Sequence, residues 1–475
     1  MKLSALAAAP CDPDPDIKGL TPDSRAVRAG FLFAALPGGS ADGAHFIPQA
    51  EEMGAAAILA RPGVVTALPL IADAEPRRRL AEMAARFYLR QPRFIAGVTG
   101  TNGKTSTAVF AEALWSMLGE TSGSLGTLGA RSATYSRKLL HTTPEPVTLH
   151  ETLEALADAG VTHLAMEVSS HALAQFRADG VRFSAAAFTN ITQDHLDFHA
   201  DFAAYFRAKL RLFRELLPPS GVVVVNMDGA AGGDIAEAAR ARRLKVVLTG
   251  AKGETLRLVS AAPQPSGLDI VVDAEGRAYA LRLPLIGGFQ AENALLAAGL
   301  VMASGRRPAE ILPLLERLPG VPGRMQLAAA FDGAGIYVDY AHTPDAVATA
   351  LRAVRPHAAG RVIAIIGAGG DRDRTKRPLM GSAAARGADH VIVTDDNPRT
   401  EDPAAIRREV LAGCKGAEDI GDRGEAIARG VAMLRKGDVL LIAGKGHETG
   451  QIVGNETLPF SDFEIARRAA REFGR

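Results

Sequence analysis

Short runs of β-branched and other apolar residues alternate along the chain with longer stretches rich in Ala, Leu and Arg. Such alternation is typical of βαβ units built on mainly parallel sheets, and it predicts the α/β fold class. The predicted strands are residues 93–98, 162–168, 185–191, 222–226, 245–248, 336–338, 361–366, 390–394 and 439–443. Residues 149–157 place their apolar side chains at helical spacing and predict a helix.

Two breaks in this pattern predict domain boundaries. Arg90, Gln91 and Pro92 precede a strong strand, and residues 318–324 (Leu-Pro-Gly-Val-Pro-Gly-Arg) form a turn-rich segment typical of an interdomain hinge. A chain of 475 residues at roughly 150 residues per domain agrees with this division. We therefore predict three domains, at residues 1–90, 91–320 and 321–475.

The composition narrows the class of protein. Hydrophobic residues make up 47% and charged residues 23%, and 54 basic residues nearly balance 53 acidic ones. This balance is typical of a globular protein and argues against a nucleic-acid surface. No apolar stretch is long enough to span a membrane. Cys11 and Cys414 show no metal-ligand spacing, and the short apolar run at residues 3–9 leads at once into acidic residues, so we expect a cytoplasmic protein with free thiols.

A glycine-rich loop follows the predicted strand 93–98 and precedes a predicted helix at 108–118. Strand, glycine loop and helix is the context of a phosphate-binding loop, in which backbone N–H groups and the helix N-terminus face the phosphates. Lys104 would bridge the β- and γ-phosphates, and the Thr105 hydroxyl would bind Mg²⁺. The predicted nucleotide contacts are Gly100, Thr101, Asn102, Gly103, Lys104, Thr105 and Ser106. Val98 stands where the common motif has glycine, so a glycine-rich turn without nucleotide is the alternative.

Carboxylates and imidazoles follow the next predicted strands. Glu167 ends one of them, at the edge of a parallel sheet where ligands bind, and could hold Mg²⁺ beside the phosphates. Residues 194–199 contain two Asp and two His, which can serve metal and phosphate. The alternatives are a buried, hydrogen-bonded Glu167 and a helix cap with solvated side chains at 194–199. Zinc is not favoured, because no cysteine accompanies the cluster.

Taken together, the motifs resemble the ATP-dependent Mur ligases over essentially the whole chain. The matching segments are residues 100–105 (Gly-Thr-Asn-Gly-Lys-Thr), 167–171 (Glu-Val-Ser-Ser-His), 190–199, 321–326 (Val-Pro-Gly-Arg-Met-Gln), 338–344 (Val-Asp-Tyr-Ala-His-Thr-Pro) and 444–448 (Gly-Lys-Gly-His-Glu). The resemblance implies a central P-loop ATPase-type sheet, an N-terminal UDP-binding α/β domain and a C-terminal Rossmann-like α/β domain.

The resemblance also implies roles for individual residues. Lys104, Glu167, His195 and Lys209 would be catalytic, and Thr105, Glu167, His195 and Lys209 would surround the metal. Lys209 would carry a carbamate, as N6-carboxylysine, although by residue type alone it is an ordinary surface lysine of a helix. Further nucleotide contacts would be Asn293, Arg324, Asp339 and His342. The UDP-linked muramoyl dipeptide would meet Ser24, Thr142, Thr143, Ser169, Gln175 and Arg177.

Residues 396–399 (Asp-Asn-Pro-Arg) resemble the form found in diaminopimelate-adding members. Diaminopimelate presents a distal carboxylate beside its amine, and a guanidinium binds that carboxylate but repels the ammonium of lysine. The resemblance implies an amino-acid site made by Arg372, Asp396, Asn397, Pro398, Arg399, Gly444 and Glu448. A simple turn after a strand is the alternative.

The resemblance implies an ATP- and Mg²⁺-dependent ligase that adds meso-diaminopimelate to UDP-N-acetylmuramoyl-L-alanyl-D-glutamate through an acyl phosphate. Its partners would be small molecules, without nucleic acid or membrane, and we expect a monomer. Within the same family, a folylpolyglutamate synthetase and a tripeptide–D-alanyl-D-alanine ligase are the alternatives; residues 141–144 and 396–399 weigh against both. A catalytically silent nucleotide-binding or scaffold protein is the alternative of another class, and intact Lys104, Glu167, His195 and Lys209 weigh against it.

Overall fold

The computed structural model describes residues 1–38, 42–192 and 198–473, which form two compact units. Unit 1 contains residues 1–248 and 299–305, and unit 2 contains residues 249–298 and 306–473. Both units mix helices with mainly parallel sheets, which confirms the α/β class. The boundaries of the three predicted domains stay predictions. No helix in the described residues is both long and apolar enough to cross a membrane.

The first part of unit 1 is a four-stranded parallel sheet in the order β1-β2-β3-β4. Its elements are α1 Leu3–Ala7, β1 Gly19–Thr21, β2 Phe31–Ala34, α2 Ile47–Glu52, β3 Ala57–Ala60, β4 Leu70–Ala72 and α3 Pro76–Phe87. Proline at the first position of α3 suits a helix start, since its missing N–H would have no intrahelical partner. Leu80 and Met83 of this helix are fully buried in the core that covers the sheet.

The larger sheet of unit 1 has the strand order β12-β11-β10-β5-β9-β6-β7-β8. Its strands are β5 Phe94–Thr99, β6 Ser122–Gly126, β7 Gly129–Ser132, β8 Ser136–Arg137, β9 His163–Glu167, β10 Ala185–Phe188, β11 Val222–Asn226 and β12 Lys245–Gly250. Its helices are α4 Lys104–Met117, α5 Pro146–Asp158, α6 Ser170–Ala174, α7 Phe202–Arg211 and α8 Gly232–Ala241. The predicted strands and the two predicted helices of this region, at 108–118 and 149–157, are confirmed. The strands from β11 to β6 are parallel, and β7 and β8 are antiparallel additions.

The register of the three central strands brings the predicted phosphate site together. Val98 pairs with Glu167, and Thr99 pairs with Phe188, so β5, β9 and β10 end at the same level. In a parallel sheet the carboxyl ends of the strands form the ligand-binding edge. The glycine loop after β5, Glu167 and the residues after β10 therefore share one edge.

Unit 2 contains a six-stranded sheet in the order β16-β17-β21-β18-β19-β20, an antiparallel trio β13–β15 and a hairpin β22–β23. The strands are β13 Leu256–Gln264, β14 Gly267–Ala274, β15 Arg277–Leu283, β16 Gln326–Phe331, β17 Ala334–Asp339, β18 Val362–Ile366, β19 His390–Val393, β20 Glu418–Asp419, β21 Val439–Ala443, β22 Gly450–Val453 and β23 Glu456–Pro459. The helices are α9 Gly288–Ala303, whose last residues belong to unit 1, α10 Pro308–Ile311, α11 Pro344–Val354, α12 Lys376–Gly387, α13 Pro403–Leu411, α14 Arg423–Ala432 and α15 Asp462–Glu472.

Four parallel strands of the six-stranded sheet end side by side. Asp339 pairs with Ala443, and Ile366 pairs with Val393, at the carboxyl ends of β17, β21, β18 and β19. The four loops that follow are those singled out by sequence, and they therefore meet at one edge of the sheet. The predicted strands of this region are confirmed, whereas β13–β15 were not predicted.

Candidate active site

The glycine loop of unit 1 has the backbone of an anion-binding turn. Gly100 and Gly103 have φ values of +148° and +86°, which favour glycine. A Cβ added at Gly100 would overlap Thr189 Oγ1, so the loop also needs glycine for space. Helix α4 starts at Lys104, directly after the loop, and runs for 14 residues. Its first N–H groups and its dipole can therefore stabilise a phosphate at the loop.

The end of β10 holds the loop in place. The backbone N–H of Asn102 donates to Asn190 Oδ1 at 3.0 Å, and the Thr189 hydroxyl donates to Asn102 O at 2.6 Å. The N–H of Thr101 donates to Asn190 O at 2.9 Å. Sequence reasoning quoted Asn190 within a motif but gave it no role, and it missed Thr189; a polar pair directly after a buried strand was the available signal.

Two lysines meet at one carbonyl oxygen of this loop. Lys104 Nζ donates to Gly100 O at 3.0 Å and to Thr101 O at 2.8 Å, and Lys209 Nζ donates to Gly100 O at 2.7 Å. Lys209 is 1% exposed, and its ammonium lies 4.4 Å from the Tyr205 ring. The Tyr205 hydroxyl reaches Thr101 Oγ1 at 2.9 Å. The residue-type interpretation of Lys209 as a surface lysine is therefore wrong, because α7 packs its inner face against the loop.

Glu167 lies beside this cationic loop and is 2% exposed. Thr105 Oγ1 donates to Glu167 Oε2 at 3.0 Å, and the backbone N–H of Thr127 donates to Glu167 Oε1 at 2.8 Å. A Cβ at Gly126 would overlap the carboxylate, so β6 needs glycine at this position to leave space for the Glu167 side chain. A buried hydroxyl and a carboxylate oxygen at a phosphate loop are the hard oxygen ligands that suit Mg²⁺ together with phosphate oxygens.

No group of three or more His, Cys, Asp and Glu side chains suited to a metal ion occurs in residues 1–38, 42–192 and 198–473. The predicted ligand His195 lies outside the described residues, as do Asp194 and Asp197 of the same segment, residues 194–199. Ser106 is buried in the first turn of α4, immediately after Thr105. Thr105 and Glu167 are thus the two predicted metal ligands that the structure brings within hydrogen-bond distance of each other.

Threonines connect Glu167 to the predicted dipeptide residues. Thr143 Oγ1 donates to Glu167 O at 2.9 Å and accepts from the Ser169 N–H at 3.0 Å. Thr142 Oγ1 lies 3.1 Å from Thr127 Oγ1, which itself donates to Glu167 Oε2 at 3.3 Å. Thr142, Thr143 and Ser169 are therefore linked to Glu167 through hydrogen bonds to its backbone oxygen or to Thr127. Thr127 was not predicted.

Arg177 completes this group. Its Nη1 donates to Thr143 O at 3.1 Å, and its Nε and Nη2 donate to Gln175 Oε1 at 3.0 and 2.7 Å. Glu145 pairs with Arg177 Nη2 at 2.9 Å. Burial lowers the pKa of Arg177, although Glu145 opposes this effect. A half-buried guanidinium whose pKa burial depresses gains from an anionic ligand, which suits a substrate carboxylate or phosphate.

Ser24 occupies the loop after β1, in a short 3-10 helix capped by Asp23. Its hydroxyl donates to Gln49 Oε1 at 2.8 Å, and the residue is 7% exposed. Helix α2 thus holds Ser24 at the carboxyl edge of the first sheet. This edge is where a parallel sheet binds ligands.

In unit 2, Asp339 organises the loops assigned to the nucleotide. Its Oδ2 accepts the N–H of Met325 at 2.8 Å, and its Oδ1 accepts the N–H of Ala341 at 2.9 Å. Burial raises the pKa of Asp339, against the effect of nearby Arg324. The carboxylate therefore ties the segment after the predicted hinge to the end of β17.

An aromatic and cationic group surrounds Asp339. The Arg324 guanidinium lies 4.8 Å from the Tyr340 ring, whose centroid is 4.6 Å from that of His342 and 5.2 Å from that of His447. Burial, and then Arg324, lower the pKa of His447 to about 4, so its imidazole is neutral near neutral pH. Arg324, Asp339 and His342 are thus brought together. Asn293 lies in α9, where its amide donates to Gln290 Oε1 at 3.0 Å.

Arg399 reaches the loop after β18, which carries Arg372. A Cβ added at Gly369 would lie 2.9 Å from Arg399 Nη1 and 3.8 Å from Arg372 Cγ. Arg399 Nη1 donates to Gly370 O at 2.7 Å, while Arg372 is exposed. Burial lowers the pKa of Lys376 at the start of α12, and the positive charges of Arg372 and Arg399 contribute in the same direction. Lys376 was missed, although it stands in a conspicuously basic segment.

Acidic side chains occupy the adjoining loops after β19 and β21. Lys445 Nζ lies 3.3 Å from Asp396 Oδ1, and the Asn397 amide donates to Glu448 Oε2 at 2.9 Å. A Cβ at Gly444, whose φ is +123°, would overlap Asp396 Oδ2. The predicted amino-acid residues of these two loops therefore lie together, and buried Lys445, which was not predicted, lies among them.

The backbone of these loops is strained at two predicted positions and at Asp371, beside Arg372. Asp371, Asn397 and Arg399 have φ values of +53°, +45° and +52°. Such values cost free energy for residues other than glycine and concentrate at functional sites. A Cβ at Gly370 would overlap Pro398 O, so the two strained loops also pack in direct contact. A simple turn after β19 does not explain this arrangement.

Two ion pairs of the fully buried Arg377 with partly exposed carboxylates support the loops. Arg377 Nη2 lies 2.7 Å from Glu401 Oε1, and Arg377 Nη1 lies 2.9 Å from Glu409 Oε2. The Arg377 hydrogen bond lowers the pKa of Glu401 to about 2, helped by the N–H of Asp371. Glu401 thus connects α12 to the strained loop that carries Arg372.

Comparison with known proteins gives concordant matches. Family models match residues 16–88 (Mur ligase family, catalytic domain), 98–301 (Mur ligase middle domain) and 323–446 (Mur ligase, glutamate ligase domain). A protein of Bradyrhizobium diazoefficiens named UDP-N-acetylmuramoyl-L-alanyl-D-glutamate--2,6-diaminopimelate ligase is 50% identical, over 96% of this chain and 95% of the relative. A protein of the same name from Caulobacter vibrioides is also 50% identical, over 97% of each chain. A solved structure of that name has a TM-score of 0.76 and 31% identity, covering 100% of this chain and 99% of the other.

Proposed function

Since the chain belongs to the Mur ligase family, we propose that it joins meso-2,6-diaminopimelate to UDP-N-acetylmuramoyl-L-alanyl-D-glutamate, with ATP converted to ADP and phosphate. It would do so in the cytoplasm, in peptidoglycan precursor synthesis. The names of the relatives support the reaction. The observation that carries the choice of amino acid is that Arg399 reaches the loop bearing Arg372, next to loops bearing Asp396 and Glu448.

The charges of this site suit diaminopimelate. Its distal carbon bears a carboxylate and an ammonium, which match a pair of guanidinium groups and an acidic side chain respectively. Lysine has the ammonium without the carboxylate, so it would leave Arg372 and Arg399 without an anion. D-Alanyl-D-alanine has no second amine for Glu448 to bind. Favourable pairing with one amine and an uncompensated charge with another together produce specificity.

The proposed chemistry begins with activation of the acceptor. The γ-phosphoryl group of ATP would pass to the D-glutamyl γ-carboxylate and give an acyl phosphate, which the amine of diaminopimelate attacks with release of phosphate. Phosphoryl transfer needs positioning and charge neutralisation rather than covalent help from the protein. Lys104 would neutralise the β- and γ-phosphates, and the N–H groups of the loop would orient them. Asn293, Arg324, Asp339 and His342 would hold the rest of the nucleotide.

Thr105 and Glu167, with His195, would hold Mg²⁺, which supplies positive charge to the phosphate oxygens when bound. The proposed carbamate on Lys209 has support in the charges of the site. Lys104 and Lys209 both donate to Gly100 O, so their ammonium groups lie within about 6 Å of each other, where like charges disfavour one another. A carbamate would replace this repulsion with attraction and give the metal an anionic ligand.

In unit 1 we propose that Ser24 contacts the uridine diphosphate. Thr142, Thr143, Ser169, Gln175 and Arg177 would hold the muramoyl dipeptide. Their hydrogen bonds to one another and to the Glu167 backbone support a common site. The hydroxyls and the Arg177 guanidinium suit a ligand rich in carboxylate and amide oxygens.

The test is to measure ADP release from the purified protein with ATP, Mg²⁺ and UDP-N-acetylmuramoyl-L-alanyl-D-glutamate, adding diaminopimelate, lysine or no amine. We expect diaminopimelate to give a kcat/KM at least about 100-fold above that of lysine, because two charge-assisted contacts distinguish the amines. Omission of the UDP substrate is the control for uncoupled hydrolysis. Equal or better turnover with lysine would refute the proposed amino-acid specificity.

A further inference from the structure

We propose that Lys445 is a positioning residue that, through Asn397, fixes Glu448 in the orientation needed to bind the distal ammonium of the incoming amino acid. The inference rests on the proposed function, because it assumes that Glu448 receives that ammonium. Lys445 itself would not touch the substrate. It would act through two successive hydrogen bonds, from its ammonium to the Asn397 carboxamide and from that carboxamide to the Glu448 carboxylate.

The ammonium of Lys445 is fully engaged inside the protein. The residue is 0% exposed, and its Nζ donates to Asn397 Oδ1 at 2.8 Å and to Gly450 O at 2.7 Å. Asp396 Oδ1 lies 3.3 Å from the same nitrogen. An ammonium has three N–H donors, and these three oxygens account for all of them. Lys445 therefore holds neighbouring loops and has no donor left for a ligand.

Lys445 fixes which way the Asn397 carboxamide points. Asn397 Oδ1 accepts from Lys445 Nζ and from the N–H of Ile452 at 2.9 Å, so both donors select the oxygen. The amide nitrogen must then face the other way, where it donates to Glu448 Oε2 at 2.9 Å. Asn397 has a φ of +45°, so the carboxamide is presented from a strained loop that needs such support.

Glu448 is left ready for a cation. Its Oε2 is occupied by Asn397, but its Oε1 has no hydrogen-bond partner among the residues that the structure describes, and the side chain is 35% exposed. Lys445 Nζ lies 3.7 Å from Glu448 Oε2 but closer, at 3.3 Å, to Asp396 Oδ1, and Arg423 pairs with Asp462 at 2.7 Å. Two cations thus face three carboxylates, so one negative charge is left over, which favours binding of an ammonium group.

The proposal predicts that loss of Lys445 changes the KM of two amines differently when the amines differ only at the distal ammonium. The experiment compares diaminopimelate with 2-aminopimelate, which has the same two carboxylates and the reacting amine but no second amine. With Lys445→Met we expect the KM for diaminopimelate to rise about 10- to 100-fold, the loss of a charge-assisted contact, while the KM for 2-aminopimelate stays within about 2-fold. The KM for ATP should not change. Lys415→Met, at an exposed lysine of the same unit, is the matched control.

A double-mutant cycle tests the route through Glu448. Once Glu448→Gln has removed the carboxylate, adding Lys445→Met should change the KM for diaminopimelate by less than about 3-fold, because coupled residues are not additive. Lys445→Gln keeps an N–H donor without the charge. Its KM should therefore rise more for diaminopimelate than for 2-aminopimelate, but by less than in Lys445→Met. Circular dichroism and thermal unfolding establish that each variant is folded.

Equal increases in KM for the two amines, or additive effects in the cycle, would overturn the role of Lys445. Failure of both Lys445→Met and Lys445→Gln to fold would do the same, since it would assign the residue to stability alone. These outcomes are distinct from failure of the proposed function, in which the unmodified protein would not turn over diaminopimelate at all.

Discussion

The phosphate loop of unit 1 and the amino-acid loops of unit 2 are built from different interactions. Around the phosphate loop, backbone groups, hydroxyls and amides hold the chain, as Asn190 and Thr189 hold Asn102. In the amino-acid loops, buried cations hold carboxylates, as Arg377 holds Glu401 and Lys445 holds Asp396. The phosphate loop is one continuous segment, whereas the amino-acid site is assembled from three loops far apart in sequence.

This difference separates the loop that would bind phosphate from the loops that would select the amine. Phosphate is a constant ligand, and backbone N–H groups with one lysine suffice to bind it. Selecting one amine requires charges at defined positions, and each buried charge in turn requires a partner. Arg372, exposed and without a hydrogen bond or ion pair to any described residue, and the open oxygen of Glu448 are the charges left for the ligand.

Lys104→Ala should have the largest effect, because it removes the one cation of the continuous phosphate motif. We expect kcat to fall by at least about 1000-fold, since charge neutralisation is the main catalytic contribution in phosphoryl transfer. The fold should be retained, with an unchanged thermal midpoint. Lys245→Ala, at an exposed lysine at the start of β12, is the control. Unchanged activity of the Lys104 variant would remove the proposed phosphate role.

Gly100→Ala tests whether binding at the phosphate loop depends on the backbone conformation of that loop. A Cβ there would overlap Thr189 Oγ1 at a φ of +148°, so the loop must distort. We expect the KM for ATP to rise by about 100-fold, measured by initial rates of ADP release. Gly233→Ala is the matched control, because its Cβ meets nothing within 4 Å in α8 and should change stability by no more than about 1 kcal/mol. A normal KM in the Gly100 variant would show that the loop tolerates a side chain.

Arg372→Ala tests whether a positive charge at this position of the amino-acid loops determines binding of diaminopimelate. Arg372 is exposed and unpaired among the described residues, so its loss should raise the KM for diaminopimelate about 10- to 100-fold without changing stability. Arg374→Ala, two residues further on, removes a guanidinium that pairs with Glu409 instead, and should leave the KM within about 2-fold. Similar KM increases in both variants would mean that net charge, rather than the position of Arg372, governs binding.

Glu401→Gln should have the smallest effect, visible mainly in acid. The folded protein lowers the pKa of Glu401 from 4.5 to about 2, so the unfolded chain binds more protons between these values. The stability that this carboxylate supplies is complete above about pH 4.5 and is lost as the pH falls to about 2. Denaturant unfolding across this range should show a weaker pH dependence in the variant than in the unmodified protein. Parallel curves would contradict the proposed support by Arg377.

The sequence was sufficient to predict the α/β class, the main parallel strands and the neighbourhood of Lys104, Thr105 and Glu167. These features are local, since a strand, a glycine loop and a helix follow one another in the chain. The strand trio β13–β15 was missed, because its first strand Leu256–Gln264 is mostly exposed and contains proline, so that antiparallel pairing with β14 rather than an apolar pattern stabilises it.

Residues that act through tertiary contacts were harder to predict. Lys209 is a basic residue on a helix by pattern, and only the packing of α7 against the phosphate loop buries it. Tyr205, Thr127 and Lys376 gave no spacing signal of their own. Lys445 stood within a recognised segment, but its function depends on Asn397, which is 48 residues away in the chain. Charge pairs between distant loops leave no periodicity that a single sequence can reveal.

The most direct test of the account is an experimental structure of the protein with bound diaminopimelate. We predict that the distal carboxylate lies within about 3.2 Å of guanidinium nitrogens of both Arg372 and Arg399, with the distal ammonium at Glu448 Oε1. A carboxylate bound away from both guanidinium groups would contradict the proposed basis of substrate selection.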